Sequence, residues 1–195
     1  MTDLFQEPDD ATPLAPEERE GLKPSWITTR ADLNLAEQDN IDAGVAWAFK
    51  QSRRDMLTAR FALDLHKRMF GEVWSWAGRY RTTERNIGID PYRVGLETEA
   101  LFADARYWTE NEVFAPDEIA VRLHHRLVFV HPFPNGNGRH ARQMADLLAR
   151  RLGRTAFSWG GGTLSDIGEL RSAYVKALRE ADRHDYAALL TFARS

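Results

Sequence analysis

Leu57, Phe61, Leu65 and Met69 fall at intervals of four along the chain. A stripe at that spacing lines up only on an α-helix. The same period, less sharply, runs through Leu35, Ile41, Val45, Ala48 and Phe49 between about 31 and 52. It returns at about 96–111, over 117–130, 138–152 and 166–181, and in the closing run DYAALLTFA. In 117–130 apolar residues crowd most faces toward the end, as a central helix requires. In 138–152 Met144, Leu147, Leu148 and Leu152 are expected inside, with Gly153 placed to cap the end. A short helix is expected at about 16–20, with Pro16 first and acids in its first turn, stopped by Gly21 and Pro24. One interval breaks the pattern. Residues 74–94, WSWAGRYRTTERNIGIDPYRV, mix Thr, Tyr, Ile and Val with Gly and Pro. That mixture reads as a short hairpin or an extended loop. The class is therefore mainly α with one β-like excursion.

The length of 195 residues suits one domain, or one domain with a short extension. Hydrophobic residues at 43% can fill a core. The net charge of -3 supplies no field toward nucleic acid or a membrane surface. Cysteine is absent, which excludes disulfides, thiolate nucleophiles and cysteine-based zinc sites. The opening stretch MTDLFQEPDDATPLAPEE is acidic and has neither the basic nor the apolar region of a signal peptide. Residues 1 to about 15 read as a loose tail. No apolar run approaches the roughly 18 residues of a spanning helix. The expectation is a soluble cytoplasmic protein with no nucleic-acid and no membrane partner.

Chemistry concentrates in Val130-His131-Pro132-Phe133-Pro134-Asn135-Gly136-Asn137-Gly138-Arg139-His140-Ala141-Arg142. Pro132 disfavours helix at His131, so the preceding helix ends there and sets the imidazole at its C-terminus. Phe133, between two prolines, is expected to anchor the loop. A glycine-bearing loop that opens directly into a helix offers N–H groups and the positive end of the dipole, an anion site. Arg139 and Arg142, three apart, share a helix face and suit phosphate oxygens. His131 can serve as a general base near neutral pH. The Asn135 amide oxygen suits a hard ion such as Mg²⁺ held mainly by phosphates and water. Two readings stay open on these residues alone: a polyphosphate cradle beside a histidine, or a polar turn between helices with solvated arginines.

The string HPFPNGNGRHAR resembles the Fic family motif HPF-x-[D/N]-GN-G-R-x-x-R at every defined position. Trp76-Ala77-Gly78-Arg79-Tyr80-Arg81 and Ile87–Val94 resemble the flap that precedes the motif in that family. The likeness covers roughly residues 35 to 190. The run SWITTRADLN is also similar to the subgroup called mobile mystery protein B. The resemblance implies a Fic-type helical bundle over 31–195, with a short β-hairpin flap beside the active-site loop and an N-terminal extension over 1–30. It implies a protein adenylyltransferase that moves AMP from ATP to a Ser, Thr or Tyr hydroxyl of a target protein, or of the protein itself. His131 would be the base, Asn135 the Mg²⁺ ligand, and Gly136, Asn137 and Gly138 the anion hole. Arg139 and Arg142 would take the outer phosphates. The flap segment Thr83-Glu84-Arg85-Asn86-Ile87-Gly88-Ile89 would pair with the target backbone like an added strand. An ordinary loop without a partner is the plain alternative there.

Relatives in the Doc branch transfer phosphate and carry Lys where this chain has Gly138, so Gly138 favours AMP transfer. Many Fic proteins also have an inhibitory helix, [S/T]-x-x-x-E-[G/N]. Pro16-Glu17-Glu18-Arg19-Glu20-Gly21 matches its end and not its start, and implies that Glu20 pairs with Arg142. A solvated first turn is the alternative. Also open are a phosphotransferase, removal of AMP, self-association, and a non-catalytic partner in a toxin–antitoxin-like pair.

Other features are expected to be structural. His124, His125, His131 and His140 lack the pairwise spacing that sets two ligands on one helix face. His124 and His125 are expected to be packing or surface residues of the central helix, and His66 and His184 show no partner. Trp76 is expected beneath the flap. Gly160-Gly161-Gly162 lacks the ending of a phosphate loop and reads as a turn.

Overall fold

The structure is a computed structural model that describes residues 4–5, 14–51, 53–161 and 167–195. Most of the expected tail, and Gly162 of the glycine run, lie outside the described residues. Regular structure among the described residues is helical: α1 (Pro16–Arg19), α2 (Arg30–Phe49), α3 (Ala59–Phe70), α4 (Val94–Glu110), α5 (Pro116–Val130), α6 (Asn137–Arg151), α7 (Ile167–Ala181) and α8 (Ala187–Arg194), with one 3-10 turn at Pro91–Arg93. The mainly α expectation holds, and each helical interval falls near its expected place.

Local chemistry sets the boundaries. Thr29 caps α2 by accepting from Asp32 N at 3.2 Å, and Asp32 accepts back from Thr29 N at 2.9 Å. Thr58 caps α3 by accepting from Phe61 N at 3.1 Å. The stripe that follows, Phe61, Leu65 and Met69, is buried. α2 is less regular: Leu33, Ile41 and Ala48 are buried, whereas Leu35 and Phe49 are exposed. In α6, Met144 and Leu148 are buried, while Leu147 and Leu152 are only partly covered. Gly153 closes α6, with Arg154 N donating to Ala149 O at 2.9 Å.

The chain divides into two compact units, and it passes from one to the other within α4, α5 and α6. The first comprises residues 1–103 and 127–140. Its core includes Leu33, Phe61, Leu65, Phe70, Trp74, Phe102 and Phe133. The second comprises residues 104–126 and 141–195. There Asp117 accepts from Arg194 Nη2 at 2.5 Å and Arg154 Nε at 3.1 Å. Buried Asp146 accepts from Phe157 N at 3.0 Å and Trp159 Nε1 at 3.2 Å.

The flap departs from the hairpin expectation. Among the described residues it forms no strand, and the isolated bridge in the chain joins Leu22 to Trp74. The carbonyls of Thr83 and Ile89, which a hairpin would use in its ladder, both accept from the Arg81 guanidinium instead. The extended-loop alternative is the one adopted. Trp76 is buried, and its indole N–H donates to Glu18 O at 3.0 Å.

Candidate active site

His131 ends α5 as its place before proline requires. Its N–H still donates to Leu127 O at 3.0 Å, but its φ is +53°. That left-handed conformation is uncommon for a side-chain-bearing residue and is held by its surroundings. The imidazole is buried, with 6% exposure. Burial, with Arg81 and then Arg85 nearby, lowers its pKa to about 4, against a hydrogen bond to the Val128 backbone that works the other way. His131 is therefore neutral at pH 7.

Arg81 holds this turn. Its Nε donates to His131 O at 2.6 Å, its backbone N–H donates to Pro132 O at 2.9 Å, and its Nη2 reaches Val130 O at 3.4 Å. Together with Thr83 and Ile89, these contacts fasten the flap to the end of α5. Gly88 lies over the histidine: its φ is +99°, and a Cβ there would come within 2.6 Å of His131 Cβ. Only glycine lets the flap pass so close.

The loop after His131 is fixed from several directions. Phe133 is fully buried and stacks on His66 with centroids 3.7 Å apart. The Asn137 side chain accepts from Phe133 N at 2.9 Å and donates to Phe133 O at 2.8 Å. His66 Nδ1 accepts from Gly78 N at 3.0 Å, so the proton is assigned to Nε2, which donates to Asn135 O at 3.0 Å. Burial, then His140, keeps His66 well below the usual histidine range. Gly136 takes φ +79° and sits on Phe70, whose ring a Cβ would meet at 2.6 Å. His140 reaches Ala62 O at 3.0 Å. Gly138 differs from these: a Cβ there would meet nothing within 4 Å.

α6 begins at Asn137, so its first N–H groups have no acceptor within the helix. Arg139 stands in its first turn. Its Nη1 donates to Glu37 at 2.7 Å, its Nη2 to Asn135 Oδ1 at 3.3 Å, and its Cζ lies 5.0 Å from the Phe70 ring centroid. Arg142 follows three positions on and belongs to the second unit. There its Cζ lies 4.7 Å from the Tyr174 ring and 5.8 Å from Trp159. Its buried Nε makes no hydrogen bond among the described residues. His124 meets the Tyr174 hydroxyl at 2.9 Å, and burial pushes that phenol up to about 12.

Asn135 Oδ1, the expected metal ligand, accepts from Gly136 N at 2.6 Å as well as from Arg139. Among the described residues no group of three or more His, Cys, Asp or Glu side chains is arranged to hold a metal. The donors fit an ion carried mainly by phosphate oxygens and water, with the longer Arg139 contact giving way.

Glu20 is exposed at the end of α1. The engaged carboxylate of that helix is Glu18, which caps Ala15 N at 2.9 Å and pairs with Arg85 of the flap. Glu18, Glu37 and His66 carry no local signal that sequence reasoning could use, and Arg81, though inside the segment that resembles the flap, carries none for its contact with His131. Each reaches the loop or flap through a contact distant in sequence. His125 is buried too, against Asp182 at 2.8 Å.

Residues 56–149 match the model of the Fic/DOC family. Protein adenylyltransferase Fic of Nematostella vectensis is 31% identical over 105 residues, covering 52% of this chain and 25% of the relative. Protein adenylyltransferase fic-1 of Caenorhabditis elegans is 38% identical over 96 residues, covering 47% of this chain and 19% of the relative. The chain thus spans a quarter or less of these curated relatives. A solved Fic-1 fragment from C. elegans aligns with TM-score 0.63 at 25% identity, over 90% of this chain and 56% of that one. BepC of Bartonella tribocorum, solved with bound AMPPNP, aligns with TM-score 0.68 at 15% identity over 92% and 97%, a likeness of fold alone.

Proposed function

Residues 56–149 of this chain are a Fic/DOC family domain, and on that premise we propose that the protein transfers AMP from ATP to a Ser, Thr or Tyr hydroxyl of a target protein. The observation that carries the reading is a neutral, buried His131 beside a glycine loop that opens α6, with Arg139 in the first turn of that helix. The names of the adenylyltransferase relatives support it, as do the AMPPNP bound to BepC and the ADP bound to a Fic domain from Bartonella quintana.

In this reading the target hydroxyl oxygen attacks the α-phosphorus of ATP. Its proton passes to a ring nitrogen of His131, and the bond to pyrophosphate breaks. A neutral imidazole is the form that can take the proton. The first N–H groups of α6, at Asn137 and Gly138, face the phosphates, and Arg139 and Arg142 take the outer ones. Gly136 contributes by the shape of its turn, since its own N–H is bonded to Asn135. Bound Mg²⁺, with Asn135 as a ligand, would neutralise phosphate charge. The Thr83–Ile89 segment lies over the base, where it can align the target backbone. Glu20 is assigned the restraint of Arg142. Residues 31–195 form the catalytic domain and 1–30 its extension.

The test is incubation with Mg²⁺ and either α-³²P-ATP or γ-³²P-ATP, with cell lysate as target and His131→Ala and Glu20→Gly in parallel. Label from the α-position alone, lost in His131→Ala and raised in Glu20→Gly, is the expected result. Label from the γ-position alone would assign phosphate transfer. No label from either, even with Glu20→Gly, would point to another donor or to a binding role.

A further inference from the structure

Glu37 lies on α2, with 6% exposure. A carboxylate so buried is rare unless it is paired. Here both oxygens are engaged: Oε1 accepts from Trp74 Nε1 at 2.7 Å, and Oε2 accepts from Arg139 Nη1 at 2.7 Å. Trp74 is itself only 1% exposed, so the indole cannot swing and the carboxylate is fixed in turn.

Arg139 presents the opposite face. Its side chain keeps 40% exposure, although one nitrogen is tied to a buried acid. Phe70 lies beneath the guanidinium and the Asn135 amide beside it. An unanchored arginine gives up rotamer freedom when it is fixed. One already oriented gives up less when phosphate arrives. A purely structural tie between α2 and α6 is poorly explained by this arrangement, because a buried ion pair adds little net stability over apolar packing.

We infer that Glu37 is a positioning residue for Arg139, holding the guanidinium so that its exposed donors meet the phosphates, an inference that rests on the AMP-transfer reading. Charge builds on pyrophosphate as the bond to it breaks, so a fixed Arg139 acts more on the transition state than on bound ATP.

The experiment is a double-mutant cycle in the full chain: Glu37→Gln, Arg139→Ala and the pair, each measured for kcat, for KM toward ATP and for thermal midpoint. Glu37→Gln is expected to lower kcat about tenfold, with KM changed less than about threefold. In the Arg139→Ala background the same change should alter kcat, measured well below every thermal midpoint, less than about twofold, and the midpoint should fall less there too because the two side chains touch. Equal loss of kcat in both backgrounds, or no loss in the first, overturns the inference and makes Glu37 a support of the fold. Should Glu37→Gln not fold, Glu37→Asp keeps the charge, withdraws it by one methylene, and must give the same cycle. If the unsubstituted protein transfers no label, the AMP-transfer reading fails by itself. The positioning claim is then read from the Kd of a fluorescent ATP analogue. A weakening of about two- to threefold by Glu37→Gln, seen only where Arg139 is present, supports it, and the same weakening in the Arg139→Ala background, or none, overturns it.

Discussion

A residue in the left-handed region before a proline turns its own carbonyl, and that of its predecessor, out of the helix. At Val130 and His131 the guanidinium of Arg81 accepts the consequence, and its backbone bonds Pro132 as well. Lysine has the charge but not the planar fork. Arg81→Lys should therefore strand at least two buried carbonyls, at about 1–3 kcal/mol each. For a chain of this size that corresponds to a thermal midpoint lowered by roughly 4–24 °C. Label transfer should fall with it even well below the midpoint, because His131 is no longer held. Calorimetry and the transfer assay check the two parts separately, and an unchanged midpoint would show that Arg81 is not the clamp. His131, Asn135, Arg139 and Arg142 are legible in the sequence because twelve consecutive residues carry the whole pattern. Their supports are not legible. Glu37 meets Arg139 across 102 residues, His66 meets Asn135 across 69, and Arg81 meets His131 across 50. Periodicity and spacing carry no information about pairings at such separations.

Helices are legible element by element because their caps are local. Thr29 with Asp32, Thr58 with Phe61, and Pro16 at the start of α1 each act within one turn. The flap is not, because its Thr and Ile residues suit a strand equally well. What decides is a buried arginine that takes the carbonyls a ladder needs. α1 is tied to that flap by Glu18 and Arg85, whose side chains are 12% and 6% exposed. A hydrogen-bonded charge pair so covered is worth about 1.5–3 kcal/mol. Glu18→Ala should accordingly raise amide exchange across residues 83–89 by about tenfold or more, with little change in α5 or α6. Hydrogen–deuterium exchange resolved by peptide measures this. Unchanged exchange would mean that Arg81 alone holds the flap.

Across the whole molecule, histidines set the response to acid. His66, His124, His131 and His140 are buried, and in each case burial is the largest cause of a pKa below 6.5. His131 and His140 fall to about 4 and His124 to about 3. A depressed histidine stays neutral in the fold and protonates first in the unfolded chain. Its contribution is complete above 6.5 and is lost as pH falls from there toward 4. Each group adds a slope of up to about 1.4 kcal/mol per pH unit in that window. The thermal midpoint should be flat from pH 8 to 7 and drop steeply between 6.5 and 4, with proton uptake on unfolding. A midpoint that holds to pH 5 would contradict the buried neutral histidines.

Gly138 stands apart from this dense packing. Gly88 and Gly136 are locked by φ and by their neighbours, whereas at 138 a Cβ would touch nothing. The described packing therefore leaves room there for the first atom of a side chain. A substitution at 138 is one the surrounding packing can take without rearrangement, and what it would alter is whatever approaches the opening of α6.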